Sequence, residues 1–202
     1  MKPPLLLALS LGAVLVAAPA RAKDIVVKKT WEVARPAAEL VEVLAAYDQF
    51  CARGCRYRVP SVEVAQILSY SRHPDDFYTW TSVKDIEDST WFSHVTVKRR
   101  EHGARVEVRM VSSALAATLE KASKREHDPS VDGSANVYEL EEVYAGDRFE
   151  KTRVTLTEVV AISGVSAVFG SGIVRDRLEE NARAMQANLS RSHAPAARRE
   201  SK

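Results

Sequence analysis

Two glutamates stand where acid–base or hydrogen-bonding chemistry would be built. Along 136–145, Tyr138, Leu140 and Tyr144 share one phase of a two-residue alternation. Along 148–162, Val154, Leu156 and Val160 do the same, and Glu142 and Glu158 interrupt these two apolar rows. Strand side chains two apart lie on one face, so each glutamate falls on the face its apolar neighbours claim. A carboxyl group facing an apolar interior loses hydration, and its pKa rises. It then serves as a general acid or base, or as hydrogen-bond partner to a ligand hydroxyl. The competing reading places each glutamate at a strand end or rim, solvated or paired with an arginine. Pairing Leu140 with Val154 sets Glu142 opposite Thr152 and Glu158 opposite Asn136. The two carboxyls are then at different heights, which argues against a paired-carboxylate mechanism.

The aromatic residues Tyr78, Trp80, Trp91, Tyr138, Tyr144 and Phe169 are candidates for the wall of a binding cavity, with ordinary core packing as the alternative. The apolar phase of 77–84 leaves the facing of Trp80 open. The ligand-binding candidates are therefore Trp80, Trp91, Tyr138 and Tyr144, with Phe169 and the two glutamates. The histidines His73, His94, His102, His127 and His193 are scattered. Of these, His73 with Asp75 and Asp76 forms a local cluster, which turn chemistry around Pro74 explains better than a metal. Gly170-Ser171-Gly172 lacks the lysine of a phosphate loop, and no Gly-x-Ser-x-Gly nucleophile elbow occurs. Asn188-Leu189-Ser190 matches a glycosylation sequon but falls within a helical pattern. No catalytic residue, metal or cofactor is assigned.

The cysteines are Cys51 and Cys55, in Cys-Ala-Arg-Gly-Cys. Three intervening residues miss the two-residue spacing of a thioredoxin-type motif, and no histidine or further cysteine is near enough to complete a metal set. A structural disulfide is expected, with Gly54 letting the short loop bend. Such a loop contributes about 2 kcal/mol in the chain-entropy model.

Oxidation of that pair fits the N-terminus. Lys2 precedes an almost unbroken apolar run from Leu5 to Ala18, and Ala20-Arg21-Ala22 has the small-x-small form of a cleavage site. Residues 1–22 thus read as a secretory signal peptide cleaved after Ala22, and the protein as periplasmic or secreted. An uncleaved anchor is the alternative. Without Lys2 and Arg21 the basic residues fall from 29 to 27, equal to the 27 acidic ones. This is not the footprint of a nucleic-acid binder. Residues 191–202 carry Arg191, Arg198, Arg199 and Lys202 against Glu200. They read as a disordered basic tail, with weak contact to a membrane surface as one role.

These groups need a scaffold. A strand is predicted over 24–33 and a helix over 37–47 behind Pro36. Strands follow over 61–70, 77–84, 90–99, 104–112, 136–145 and 148–162, separated mostly by turn residues. The rows Val95, Val97 and Val106, Val108 match if Val97 faces Val106, leaving a four-residue loop at 100–103. The last pair matches only with an odd loop, Gly146-Asp147-Arg148. A helix closes the chain over 165–190, with Val174, Leu178, Ala182, Met185 and Leu189 as its apolar stripe. Glycines 164, 170 and 172 loosen its start. The connection 114–135 is longer than a hairpin needs and reads either as a lid or as a surface insertion.

Three local patterns sit in this order: Arg35-Pro36-Ala37-Ala38-Glu39-Leu40, then Tyr47-Asp48-Gln49-Phe50, then Val59-Pro60-Ser61-Val62-Glu63-Val64. With the element order over 25–190, they resemble the START-like superfamily, which includes polyketide cyclase/dehydratase and coenzyme Q-binding relatives. The resemblance implies an α+β helix-grip domain over 23–190, a seven-stranded curved antiparallel sheet wrapped around a long C-terminal helix. It further implies a cavity holding a lipid, sterol, quinone or polyketide-like ligand. The resemblance carries no catalytic residues over. The functional expectation is non-catalytic binding or carriage of such a hydrophobic ligand. The alternatives are an envelope interaction module with a filled cavity and a cyclase/dehydratase-type enzyme using Glu142 or Glu158. Oligomeric state is not specified by the sequence.

Overall fold

The computed structural model describes residues 22–68, 73–84, 88–163 and 170–191. Phe169, all but Ala22 of the expected signal peptide and all but Arg191 of the expected basic tail lie outside them. Strand β1 (Lys23–Val33) leads into helix α1 (Ala37–Ala45), a 3-10 turn (Tyr47–Gln49) and two short strands, β2 (Phe50–Cys51) and β3 (Tyr57–Arg58). The meander follows: β4 (Val62–Ile67), β5 (Asp76–Lys84), β6 (Asp88–Arg100) and β7 (Gly103–Met110). Helix α2 (Ser113–Ser123) interrupts it before β8 (Gly133–Ala145), β9 (Arg148–Ile162) and the closing helix α3 (Ser171–Ser190). The main sheet has seven strands in the order β1-β9-β8-β7-β6-β5-β4, and every neighbouring pair is antiparallel.

Alternation decides which face each strand gives to the interior. On β9, Thr152, Val154, Leu156, Glu158, Val160 and Ile162 are buried, and the residues between them are less so. On the inner face, α1 and α3 pack over Val95, Val97, Val106, Leu140, Val154 and Leu156 to form the main core. Helix α3 contributes Ala182, Met185 and Leu189 to it, and Leu178 to a smaller cluster with Ile25, Val27 and Val160. The expected stripe is therefore the gripped face. The described helix runs from Ser171, with Gly170 as its first flanking residue, and the start expected at 165 lies outside the described residues.

Asn188 belongs to this seam too. It is 1 % exposed, its Oδ1 accepts from the Arg58 backbone N–H at 3.3 Å, and its Nδ2 donates to the Arg58 carbonyl at 2.9 Å. The sequon asparagine is thus an internal clamp between α3 and β3. Cys51 and Cys55 are disulfide-bonded, and Gly54 adopts φ +85° in the loop between them.

Both hairpin loops differ from expectation, although the registers do not. Val97 faces Val106, and Leu140 faces Val154. Pairing nevertheless continues to Arg100↔Gly103, so the first loop is the two-residue turn Glu101-His102 rather than four residues. In the last hairpin Ala145 pairs with Arg148 across a tight Gly146-Asp147 turn, with Gly146 at φ +61°. The parity mismatch is absorbed by a bulge: Val143 faces Lys151 but Tyr144 faces Phe149, leaving Glu150 as the extra residue.

The long connection lies on the other side of the sheet. Ala116 and Leu119 of α2 pack with Leu68, Phe92 and Val111 in a separate buried cluster, which Tyr78 and Trp80 flank. The chain then returns along the edge of β6 that β7 has left. Thr90 and Asp128 exchange backbone hydrogen bonds at 3.1 and 2.9 Å. Beside them His127 Nδ1 accepts from the Phe92 N–H at 3.3 Å, while its ring stacks on Phe92. The segment thus continues a ladder that β7 abandons and covers an apolar outer patch.

Candidate functional site

Between the inner face of the sheet and α3 lies a cavity of about 270 Å³. The sheet supplies Val106, Val108, Tyr138 and Val160, and α3 supplies Val174, Leu178, Asn181 and Met185. Tyr47, Phe50 and Val59, which follow α1, form another part of the lining. Ser130 and Val131, at the end of the long connection, also contribute. The wall is mainly apolar, with polar groups at a few positions, as in small-molecule sites generally.

Glu158 is the acidic residue of this lining. It sits in the middle of β9 between Val27 of β1 and Asn136 of β8, and it is 2 % exposed. Its Oε2 has no hydrogen-bond partner among the described residues. Burial pushes its pKa up to about 8, so at neutral pH it mostly keeps its proton. Tyr138, on the same face of the neighbouring strand, is 5 % exposed. Its phenol is raised well above the ordinary value, first by burial and then by the charges of Glu158 and Tyr47. Tyr47 is raised by burial as well, partly offset by the Thr81 hydroxyl. From the helix wall, Asn181 donates through Nδ2 to Ser61 Oγ at 2.8 Å, and its Oδ1 is buried with no partner among the described residues. Arg177 also lines the cavity and bonds Glu180 one turn along the helix. A neutral carboxyl, a phenol and a carboxamide thus belong to the wall of one mainly apolar cavity.

Of the residues singled out from sequence, Trp91, Tyr138 and Glu158 line this cavity. Glu142 stands outside it. Its Oε1 accepts the Ala37 N–H at 2.8 Å, and its Oε2 accepts the Tyr144 hydroxyl at 2.6 Å. Pro36 gives α1 no side-chain cap, so Glu142 reaches across from β8 to satisfy the first helical N–H and meet the positive end of the helix. Tyr144 is accordingly at the rim, 39 % exposed, with its ring against His102 and Phe149. Trp80 is on the opposite face. Phe77, Thr79, Thr81 and Val83 are the inward residues of β5, which turns Trp80 out. There its Nε1 donates to the Glu126 carbonyl at 2.8 Å, and Arg125 lies 5.0 Å above its ring. Phe169 lies outside the described residues.

Sequence reasoning missed Asn136 and Asn181. Asn136 shares the phase of Tyr138 two residues on. Asn181 follows Leu178 by three and precedes Met185 by four, so helical spacing places it within the stripe. The His73 cluster is a turn: the Asp75 N–H donates to His73 Nδ1 at 3.2 Å, Asp75 pairs with Arg99, and Asp76 with His94. No group of metal-ligating side chains occurs among the described residues.

No family model matches the chain, and no curated protein does. Solved structures do resemble it. A START superfamily protein from Mycobacterium smegmatis superposes with a TM-score of 0.53 at 14 % identity, covering 81 % of this chain and 96 % of that one. The di-domain aromatase/cyclase of the steffimycin biosynthetic pathway gives 0.56 at 10 % identity, covering 83 % of this chain and 49 % of that protein. The chain therefore spans about half the length of the two-domain protein. At identities this low the superpositions show the fold alone, a START-like helix-grip fold.

Proposed function

We propose that the protein is exported and binds a compact hydrophobic molecule in this cavity without transforming it. The observation that carries the reading is the open space of about 270 Å³ between an apolar sheet face and the gripped helix. Pockets for drug-sized ligands measure roughly 300–1,000 Å³, and an apolar cavity of about 150 Å³ holds benzene. The volume therefore favours a small member of the expected range, such as a bicyclic quinone or polyketide-like ring. A sterol or a two-chain lipid would require α3 to move. An unfilled interior also speaks against an interaction module whose cavity is closed by its own side chains.

The test is to isolate the protein from its native source without detergent and extract it for mass spectrometry. A neutral fluorescent probe such as N-phenyl-1-naphthylamine is then titrated into the extracted protein. A co-purifying small apolar molecule and saturable probe binding are expected. Absence of both would end the proposal. Export is read from the same preparation, whose N-terminal residue should be Lys23. One observation favours a second reading: Glu158 is a buried acid on the cavity wall, as a cyclase/dehydratase-type enzyme would need. In that case Glu158→Gln would abolish turnover of a bound polyketone while leaving its binding intact.

A further inference from the structure

Within the proposed binding site, the polar atoms left unpartnered carry information about the ligand. Glu158 Oε2 and Asn181 Oδ1 are both buried, and neither has a partner among the described residues. One belongs to the sheet wall and the other to the helix wall of the same cavity. Asn181 donates one of its two amide hydrogens to Ser61, and its unpartnered atom is the acceptor Oδ1. Glu158, when protonated, offers one acceptor oxygen and one proton. A buried polar atom left unmade costs about 1–3 kcal/mol, a penalty that a ligand bearing donors would remove.

We infer that the ligand is a compact apolar body carrying a hydroxyl or amine, whose donor hydrogens satisfy Glu158 and Asn181, and that carboxylate-headed molecules are rejected. A hydroxyl can accept from the carboxyl proton and donate to the carboxamide. An amine can do the same, or take the proton and pair with the carboxylate. A bare carbonyl leaves Asn181 unsatisfied. A carboxylate brings a third acceptor and a negative charge. Arg177, the cationic residue of the described lining, does not reverse this, because it is bonded to Glu180 and its side chain is 35 % exposed. The inference rests on the binding role proposed above.

Four naphthalene probes separate the two claims in titrations of the mature protein at pH 7: naphthalene, 1-naphthol, 1-naphthylmethylamine and 1-naphthoic acid. Naphthol or the amine should bind about tenfold more tightly than naphthalene, the equivalent of one good hydrogen bond, and naphthoate more weakly. Glu158→Leu should remove that preference while naphthalene still binds, and Asn181→Leu should reduce it. The amine and hydroxyl arms differ with pH. Amine affinity should rise between pH 6 and 8 in the native protein and stay flat in Glu158→Gln. The titratable and charged groups that share the described cavity wall with Glu158 are Tyr138 of β8, Tyr47 of the 3-10 turn and Arg177 of α3. The tyrosines stay protonated over that range. Equal binding of all four probes, or an unchanged ranking in Glu158→Leu, would overturn the inference and leave hydrophobic binding standing. Failure of every probe, naphthalene included, would remove both.

Discussion

At neutral pH Glu158 is a buried, neutral acid, and this makes stability depend on pH in a stated direction. Its pKa rises from 4.5 to about 8 on folding. Between those values the unfolded chain has released a proton that the folded chain still holds. Stability therefore falls as pH rises through this window, and below it the residue imposes no penalty. Well above pH 8 the accumulated cost is on the order of 5 kcal/mol. Glu158→Gln keeps the shape and removes the titration. Urea midpoints of the two proteins should be similar at pH 5 and diverge in favour of the variant by pH 9. Parallel curves would mean that Glu158 is hydrated or paired in solution. Asn188 makes a residue-scale prediction of a different kind. Asn188→Ala removes both bonds to the Arg58 backbone. It should cost about 2–3 kcal/mol in denaturant unfolding, because the peptide partners stay partly buried. The same clamp predicts that the sequon stays unmodified on a folded chain.

At the scale of elements, the β7–β8 seam leaves no room for a side chain at Gly103. A Cβ there would lie 2.0 Å from the Leu140 carbonyl oxygen, and φ is +154°. Gly103→Ala should cost about 3 kcal/mol, against little for alanine at the open, helical Gly172; thermal unfolding of the two variants gives the comparison. The strands themselves were legible because apolar Val154, Leu156, Val160 and Ile162 recur at every second position of β9 around Glu158, and matching apolar phases fixed Val97 on Val106 and Leu140 on Val154. The loops were not, because phase constrains parity alone. An odd loop and a bulge at Glu150 satisfy it equally, and the tight Gly146-Asp147 turn decides in favour of the bulge. The site divides the same way. Glu158 could be read from its row because nothing outside the sheet competes for it. Glu142 occupies an equivalent place in its own row, yet it is claimed by the N-terminus of α1, a partner more than a hundred residues away in the chain. Trp80 was ambiguous because Thr79 and Thr81 fill the inward positions and blur the alternation. Asn136 and Asn181 were not singled out because their place in the site depends on an empty space that the sequence does not display.

Across the whole molecule, the sheet carries two apolar loads on opposite faces, and the long connection serves both. Its helix covers Phe92, Tyr78 and Trp80 on the outside. Its returning segment pairs with Thr90 through Asp128, and Ser130 donates its N–H to Ser89 Oγ at 2.8 Å. Ser130 and Val131 then become part of the cavity wall inside. A surface insertion would be removable at little cost, since loop closure varies slowly with length. Here, joining Met110 to Gly133 by a short turn would expose the outer cluster, free the β6 edge and open one side of the cavity. The shortened protein should lose several kcal/mol of stability, bind hydrophobic dyes nonspecifically and self-associate. Leu119→Ala separates the packing part of this effect from the rest. It leaves the returning segment in place and, for a side chain 4 % exposed, should cost about 2–4 kcal/mol. Probe affinity should fall in the shortened protein and hold in Leu119→Ala, because the point variant leaves Ser130 and Val131 where they are. If both variants unfolded and bound probe like the native chain, the connection would be a dispensable loop, and the outer cluster would contribute nothing to the grip.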